Sequence, residues 1–163
     1  MDQSDEDFFA SLPATRGAAG GLIRSVSGDV LLVRRVYDPD HLWGVPGGIM
    51  EAEESPLAAC RREIVEELGV TPRVRAALVV DWVPPSPPRT AAYQWVFRAD
   101  VPHTDFRLQP EELSGWEWVG PERLFDHLPE GTARRMLAAV EADDRGGGPV
   151  YLENGHAVLP GPS

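Results

Sequence analysis

Three glutamates, Glu63, Glu66 and Glu67, close the stretch GGIMEAEESPLAACRREIVEELGV, which runs from Gly47 to Val70. Like charges three or four residues apart cost a helix roughly 0.2–0.5 kcal/mol a pair. Anions in a last helical turn also oppose the helix dipole, for about 0.3–1 kcal/mol more. At about 100° per residue the three carboxylates share an arc roughly 100° wide. That arc lies beside the apolar face of Leu57, Cys60, Ile64 and Leu68, which recur at helical spacing. Such a helix can pack on a sheet and still hold three hard oxygen donors at the rim of a cleft. Donors of that kind suit Mg²⁺ or Mn²⁺, which share their remaining positions with waters and phosphate oxygens. The competing account is an ordinary solvated acidic face, and the surrounding residues decide between them.

Other residues could serve the same chemistry. Arg34 and Arg35 follow the apolar run DVLLV. Side chains alternate along a strand, so one of the pair should enter the cleft, where it could grip a phosphate. Trp43 stands just before the glycines; Trp82, Tyr93 and Trp95 lie on two strand-like segments. These aromatics are candidates to stack a nucleobase, or else belong to the core. The four histidines show no ligand spacing, and only His41 lies near the acidic helix. Arg134 and Arg135 read as the solvated face of a C-terminal helix.

The elements that must position these groups are legible from pattern. Ser55 is a plausible N-cap, Pro56 suits the first helical position, and Gly69 sits where a C-cap glycine belongs. GAAGGLIRSV (17–26) and DVLLVRRV (29–36) flank Ser27-Gly28-Asp29, a hairpin signal. WGVPGG (43–48) is a short extended piece ending in a turn. Residues 73–83 and 91–101 read as strands separated by the stiff loop PPSPPR, which cannot enter a central strand. WEWV (116–119) is a further short strand. Pro121 opens a brief helix, and residues 131–142 form a longer one. Strands interleaved with helices give an α/β layered domain. Residues 1–16 look like a flexible acidic arm, 17–145 the domain proper, and 146–163 a C-terminal extension with an edge strand as one expected role.

The run from Gly48 through Glu54, Arg62-Glu63-Ile64 and Glu66-Glu67 to Gly69-Val70 resembles the Nudix box at every fixed position. WGVPGG resembles its usual lead-in. The resemblance implies a Nudix-type α/β/α sandwich with a mixed β-sheet and the box helix packed at its edge. It implies that Glu63, Glu66 and Glu67 bind metal, with Glu67 or Glu66 helping to deprotonate the attacking water. It gives the Gly47 carbonyl as a further ligand, Arg62 as the residue that orients the glutamates, and Glu54 as its ion-pair partner. Family members often carry one more acid before a late strand. Glu111 and Glu112 occupy that place, and Glu112 is the choice as extra ligand or base.

The implied reaction is Mg²⁺- or Mn²⁺-dependent hydrolysis of a diphosphate linkage in a nucleoside diphosphate derivative. The substrate could be a nucleotide sugar, an ADP-ribose type compound or a nucleoside triphosphate; Pro87 fits the spacing of ADP-ribose members. Alternatives are a catalytically silent nucleotide-sensing module and a hydrolase of a prenyl diphosphate. An isomerase on the same scaffold needs a catalytic cysteine, and Cys60, on the apolar face, is a poor one.

Composition narrows the partners. The 163-residue chain carries a formal charge of −11, which argues against a nucleic-acid polymer, since such binding relies on basic residues. The expected partner is a small phosphorylated molecule, with no membrane and a monomer or homodimer. One cysteine, an acidic N-terminus and the lack of a long apolar run fit a cytoplasmic protein.

Overall fold

A computed structural model of the chain describes residues 2–161. Its elements in order are α1 (Gln3–Ser11), β1 (Arg16–Leu22), β2 (Val30–Arg35), β3 (Trp43–Gly44), β4 (Gly47–Ile49), α2 (Pro56–Leu68), β5 (Arg73–Val83) and β6 (Ala92–Asp100). There follow β7 (Leu113–Val119), a 3₁₀ turn at Pro121–Arg123, α3 (Leu124–His127), α4 (Glu130–Arg145), β8 (Val150–Glu153) and β9 (His156–Ala157). The strands form two sheets. A six-stranded mixed sheet has the order β4-β1-β6-β5-β8-β9, and a three-stranded antiparallel sheet has the order β3-β2-β7.

Two apolar clusters hold these layers together. One gathers Leu22, Val79, Val96, Met136 and Val140 and joins the large sheet to α4. The other gathers Ala19, Ile23, Ile64, Leu68 and Phe97 and joins the opposite face to α2. Val30 and Leu32 of β2 enter the first cluster, Leu31 and Val33 the second. This strand is buried on both faces, which explains why VLLV reads as a continuous apolar run rather than an alternating one. α2 packs on β1 and β4, so it lies near the sheet edge, as the resemblance implied.

The capping signals in the sequence have their expected structural roles. Ser55 Oγ accepts from the Ala58 N–H at 3.1 Å, Pro56 opens α2, and Gly69 ends it in the left-handed region at φ 68°. The hairpin expectation needs correction. The turn at Ser27-Gly28 forms, and Arg24 bridges Val30, but the two strands then diverge into different sheets. β1 pairs antiparallel with β4 and parallel with β6, whereas β2 pairs with β3 and β7.

Residues 3–11, within the segment read as an arm, form a helix capped by Asp2, and none of its residues is buried. Met1, Pro162 and Ser163 lie outside the described residues. VYLENGHAV supplies β8, parallel to β5, and β9, antiparallel to β8, at the sheet edge. Among the described residues no helix is long and apolar enough to cross a membrane.

Candidate active site

Arg62 organises the acidic helix. Its Nε donates to Glu54 Oε2 at 2.7 Å and its Nη2 to Glu54 Oε1 at 2.9 Å, a two-pronged grip on one carboxylate. Its Nη1 donates to Glu63 Oε1 at 2.8 Å and to Glu66 Oε2 at 3.1 Å. The Nη2 also reaches the Ile49 carbonyl at 3.1 Å, which pins α2 to strand β4. One guanidinium thus collects acids from a loop and from two positions on the helix. The pairing with Arg62 holds the Glu54 carboxyl down at about 2.

Glu67 is set apart from this network. It is only 3% exposed, and its Oε2 accepts from the Gly47 N–H at 3.1 Å. Burial pushes its carboxyl up to about 8; the Gly47 hydrogen bond opposes the shift, and Glu63 adds to it. Two further groups act through space: Arg35 lowers the value, and Glu112 raises it. Burial likewise raises Glu63, against the pull of its hydrogen bond to Arg62. Glu112 is half-buried and acts on both Glu63 and Glu67, whereas Glu111 is exposed.

The glycines before the helix separate these acids from a cleft. Gly48 lies against Glu63 so closely that a Cβ there would run into the carboxylate. On their other side Gly47, Gly48 and Ile49 line a cavity of about 460 Å³. Arg35, Trp43, Gln94, Trp95 and Arg135 line other parts of its wall. The Nε of Arg35 is buried without a hydrogen-bond partner.

The sequence-derived candidates separate clearly in space. Glu54, Arg62, Glu63, Glu66, Glu67 and Gly47 come together, and Glu112 acts on Glu63 and Glu67 through space. Arg35 lines the cleft, whereas Arg34 is exposed beside it, as strand alternation requires. Trp43, Trp95 and His41 line the cleft; Trp82 and Tyr93, which face each other across β5 and β6, do not. These two were expected at the substrate, but as the pair next to Asp81 and Gln94 in the register they turn to the opposite face of the sheet. Arg135 reverses another expectation. Rather than sitting on a solvated face, its Nε donates to Asp81 Oδ2 at 2.7 Å, and Asp81 is wholly buried. The sequence does hold a signal, an aspartate inside the apolar strand VVDWV.

No three acids, histidines or cysteines among the described residues converge as a ready cation cage, because Arg62 draws Glu63 and Glu66 towards itself. The chemistry of the donor set nevertheless fits a hard divalent ion. All the candidate donors are oxygens, and Glu67 Oε1 accepts no hydrogen bond from the described residues. Cys60 is buried in the apolar cluster, which pushes its thiol up to about 12 and removes it as a nucleophile.

Fold and site together define a hydrolase-type carboxylate centre beside a cleft, and known proteins give it a family. The NUDIX domain family matches residues 14–140. The chain is 26% identical over 169 residues to a MutT-like protein of Streptomyces ambofaciens, covering 98% of this chain and 96% of that one. It is 34% identical over 145 residues to an RNA pyrophosphohydrolase of Novosphingobium aromaticivorans, covering 74% of this chain and 86% of the relative. The crystal structure of a MutT protein from Methanosarcina mazei Go1 superposes with a TM-score of 0.63 at 25% identity, covering 83% of this chain and 98% of that one. The chain belongs to the NUDIX family, and it is a hydrolase. The family generally uses divalent cations.

Proposed function

We propose that this enzyme hydrolyses a diphosphate linkage in a nucleoside diphosphate derivative, with Mg²⁺ or Mn²⁺ held by Glu63, Glu66, Glu67 and the Gly47 carbonyl. The observation that carries the reading is the position of Glu67, a buried carboxyl raised to about 8 and bonded to the glycine edge of the cleft. When bound, the cation neutralises phosphate oxygens and lowers the pKa of a coordinated water.

The protein's own groups supply positioning and proton transfer. Arg62 fixes Glu63 and Glu66, with Glu54 locking the guanidinium in place. Glu67 or Glu66 takes the proton of the attacking water, and Glu112 adds a further acid. Arg35, whose Nε has no protein partner, grips a phosphate from the cleft side. Trp43 flanks the space in which the nucleoside part lies, while the Trp95 ring stacks on Phe97 on the α2 side of the sheet. The glycines let the chain pass between the acids and the cleft, so a diphosphate can approach the carboxylates closely.

A hydrolysis panel with Mg²⁺ and Mn²⁺ tests this reading. It contains ADP-ribose, NADH, sugar nucleotides, normal and oxidised nucleoside triphosphates, and prenyl diphosphates. A short 5′-triphosphorylated RNA joins it, because several relatives are RNA pyrophosphohydrolases. Cation-dependent release of phosphate or a nucleotide from one class is expected. Nucleotide binding by calorimetry without turnover of any compound would contradict it and favour a sensing module.

A further inference from the structure

Asp81 poses a question that the hydrolytic centre does not answer. It is wholly buried on β5 and belongs to neither the glutamate cluster nor an apolar packing need. A buried carboxylate is costly unless it is paired and hydrogen-bonded. Here Oδ2 accepts from Arg135 Nε at 2.7 Å, and Oδ1 accepts from the Gly155 N–H at 3.0 Å. Both oxygens are used, and the arrangement fixes one object, the guanidinium of Arg135. That side chain is 12% exposed and lines the cleft. Its Nη1 and Nη2 donate to nothing among the described residues.

Arg35 and Arg135, which border the same cleft, are therefore in different electrostatic states. Arg35 has no ion pair among the described residues and keeps its full charge for a phosphate. Arg135 has its charge matched by Asp81, so it offers a fork of donors with no net charge. Such a fork suits neutral acceptors on a planar edge better than a phosphate. Gln94 sits directly opposite Asp81 in the β5–β6 register, on the same face of the sheet. It also lines the cleft, and its amide is unpaired among the described residues. The order β4-β1-β6 places Gln94 two strands from the glycine edge, about 10 Å away. A ribose and its phosphate can bridge that span.

We propose that Arg135, presented by Asp81, and Gln94 read the edge of a nucleobase that carries acceptors, as guanine and hypoxanthine do, and disfavour adenine. The 6-oxo group and N7 of guanine are both acceptors, and a guanidinium meets them with two donors. Adenine places an amino donor where the oxo group would be, so donor meets donor. The inference rests on the nucleotide reading above and names its base.

The test compares GTP, ITP, 7-deaza-GTP and ATP in turnover, and methylene-bridged GTP and ATP analogues in calorimetric binding. The variants are Arg135→Lys, which keeps a charge near Asp81 but loses the fork, and Gln94→Leu, which leaves the ion pair intact. The expected result is a KM and Kd for guanine and hypoxanthine compounds about tenfold or more below those for ATP, with 7-deaza-GTP between. In each variant that ratio moves towards one. Equal affinity for all bases, a preference for ATP, or a ratio untouched by both variants would overturn the proposal. Guanine-selective binding without turnover would sink the hydrolase reading alone. Turnover without base preference would sink only this one.

Discussion

At the scale of single residues, the site depends on how Arg62 shares itself among acids. The Glu54 carboxyl is held at about 2 by its paired hydrogen bonds to that guanidinium, well below its ordinary 4.5. A depressed carboxyl contributes stability that is complete above the unfolded value and is lost as pH falls through the folded one. Glu54→Gln should therefore lower the urea midpoint near neutral pH, and the gap from the parent should close between about 4.5 and about 2. Urea titrations across that range check it; a gap that stays constant down to the lower limit would contradict the role given to the pair. This cluster was legible in the sequence because its spacing is local: the helical period alone brings Glu63, Glu66 and Glu67 to one side. The pairing of Asp81 with Arg135 was not, because 54 residues separate them and no local pattern links a strand acid to a helix arginine. Arg35 fell between the two cases. Alternation required one of the arginine pair to enter the cleft, but a register shift between Arg34 and Arg35 in the β2–β7 pairing, which no local pattern shows, lies at this point, and Arg35 is the one that lines it.

At the scale of elements, the C-terminal hairpin of β8 and β9 braces the cleft from behind. The Gly155 N–H holds Asp81, and the Asn154 carbonyl accepts from Arg134 Nη2 at 2.9 Å. Gly155 has φ 79°, and a Cβ there would lie 2.9 Å from both the Gly131 carbonyl oxygen and Arg134 Cβ. Gly155→Ala is therefore strained in backbone and in space, and it should destabilise the fold by about 1–3 kcal/mol. Denaturant unfolding measures this, and a change below a few tenths of a kcal/mol would contradict the bracing role. The hairpin illustrates how far local signals reach. Asn154-Gly155 is a turn signal, and an edge strand was one expected role for this segment. That β8 pairs parallel with β5 depends on the crossover through α4, which no short window contains. The same limit explains the first hairpin: Ser27-Gly28 reverses the chain, yet β1 finds its partners in β4 and β6.

At the scale of the whole molecule, a chain of net charge −11 must bring a polyanion to a group of carboxylates. The fold meets this by concentrating arginines. Arg35, Arg89 and Arg135 all border the cleft, while the acids of α2 sit behind the glycine edge with Arg62 among them. The layered class and the bounds of α2, β5 and β6 followed from periodicity and capping, whereas the helix at Gln3–Ser11 did not. The division into two sheets did not, because it depends on β2 being buried on both faces by partners distant in sequence.

The central claim is that the buried carboxyl of Glu67 serves the hydrolysis, and its neutral isostere tests that most directly. With the best substrate of the panel at saturating Mg²⁺ or Mn²⁺, kcat of Glu67→Gln is measured beside the parent, with folding verified by circular dichroism. The account predicts a fall of about 10²–10⁴-fold, the range ordinarily carried by a positioned acid or base. A folded variant that keeps kcat within about twofold of the parent would contradict it and move the chemistry away from this helix.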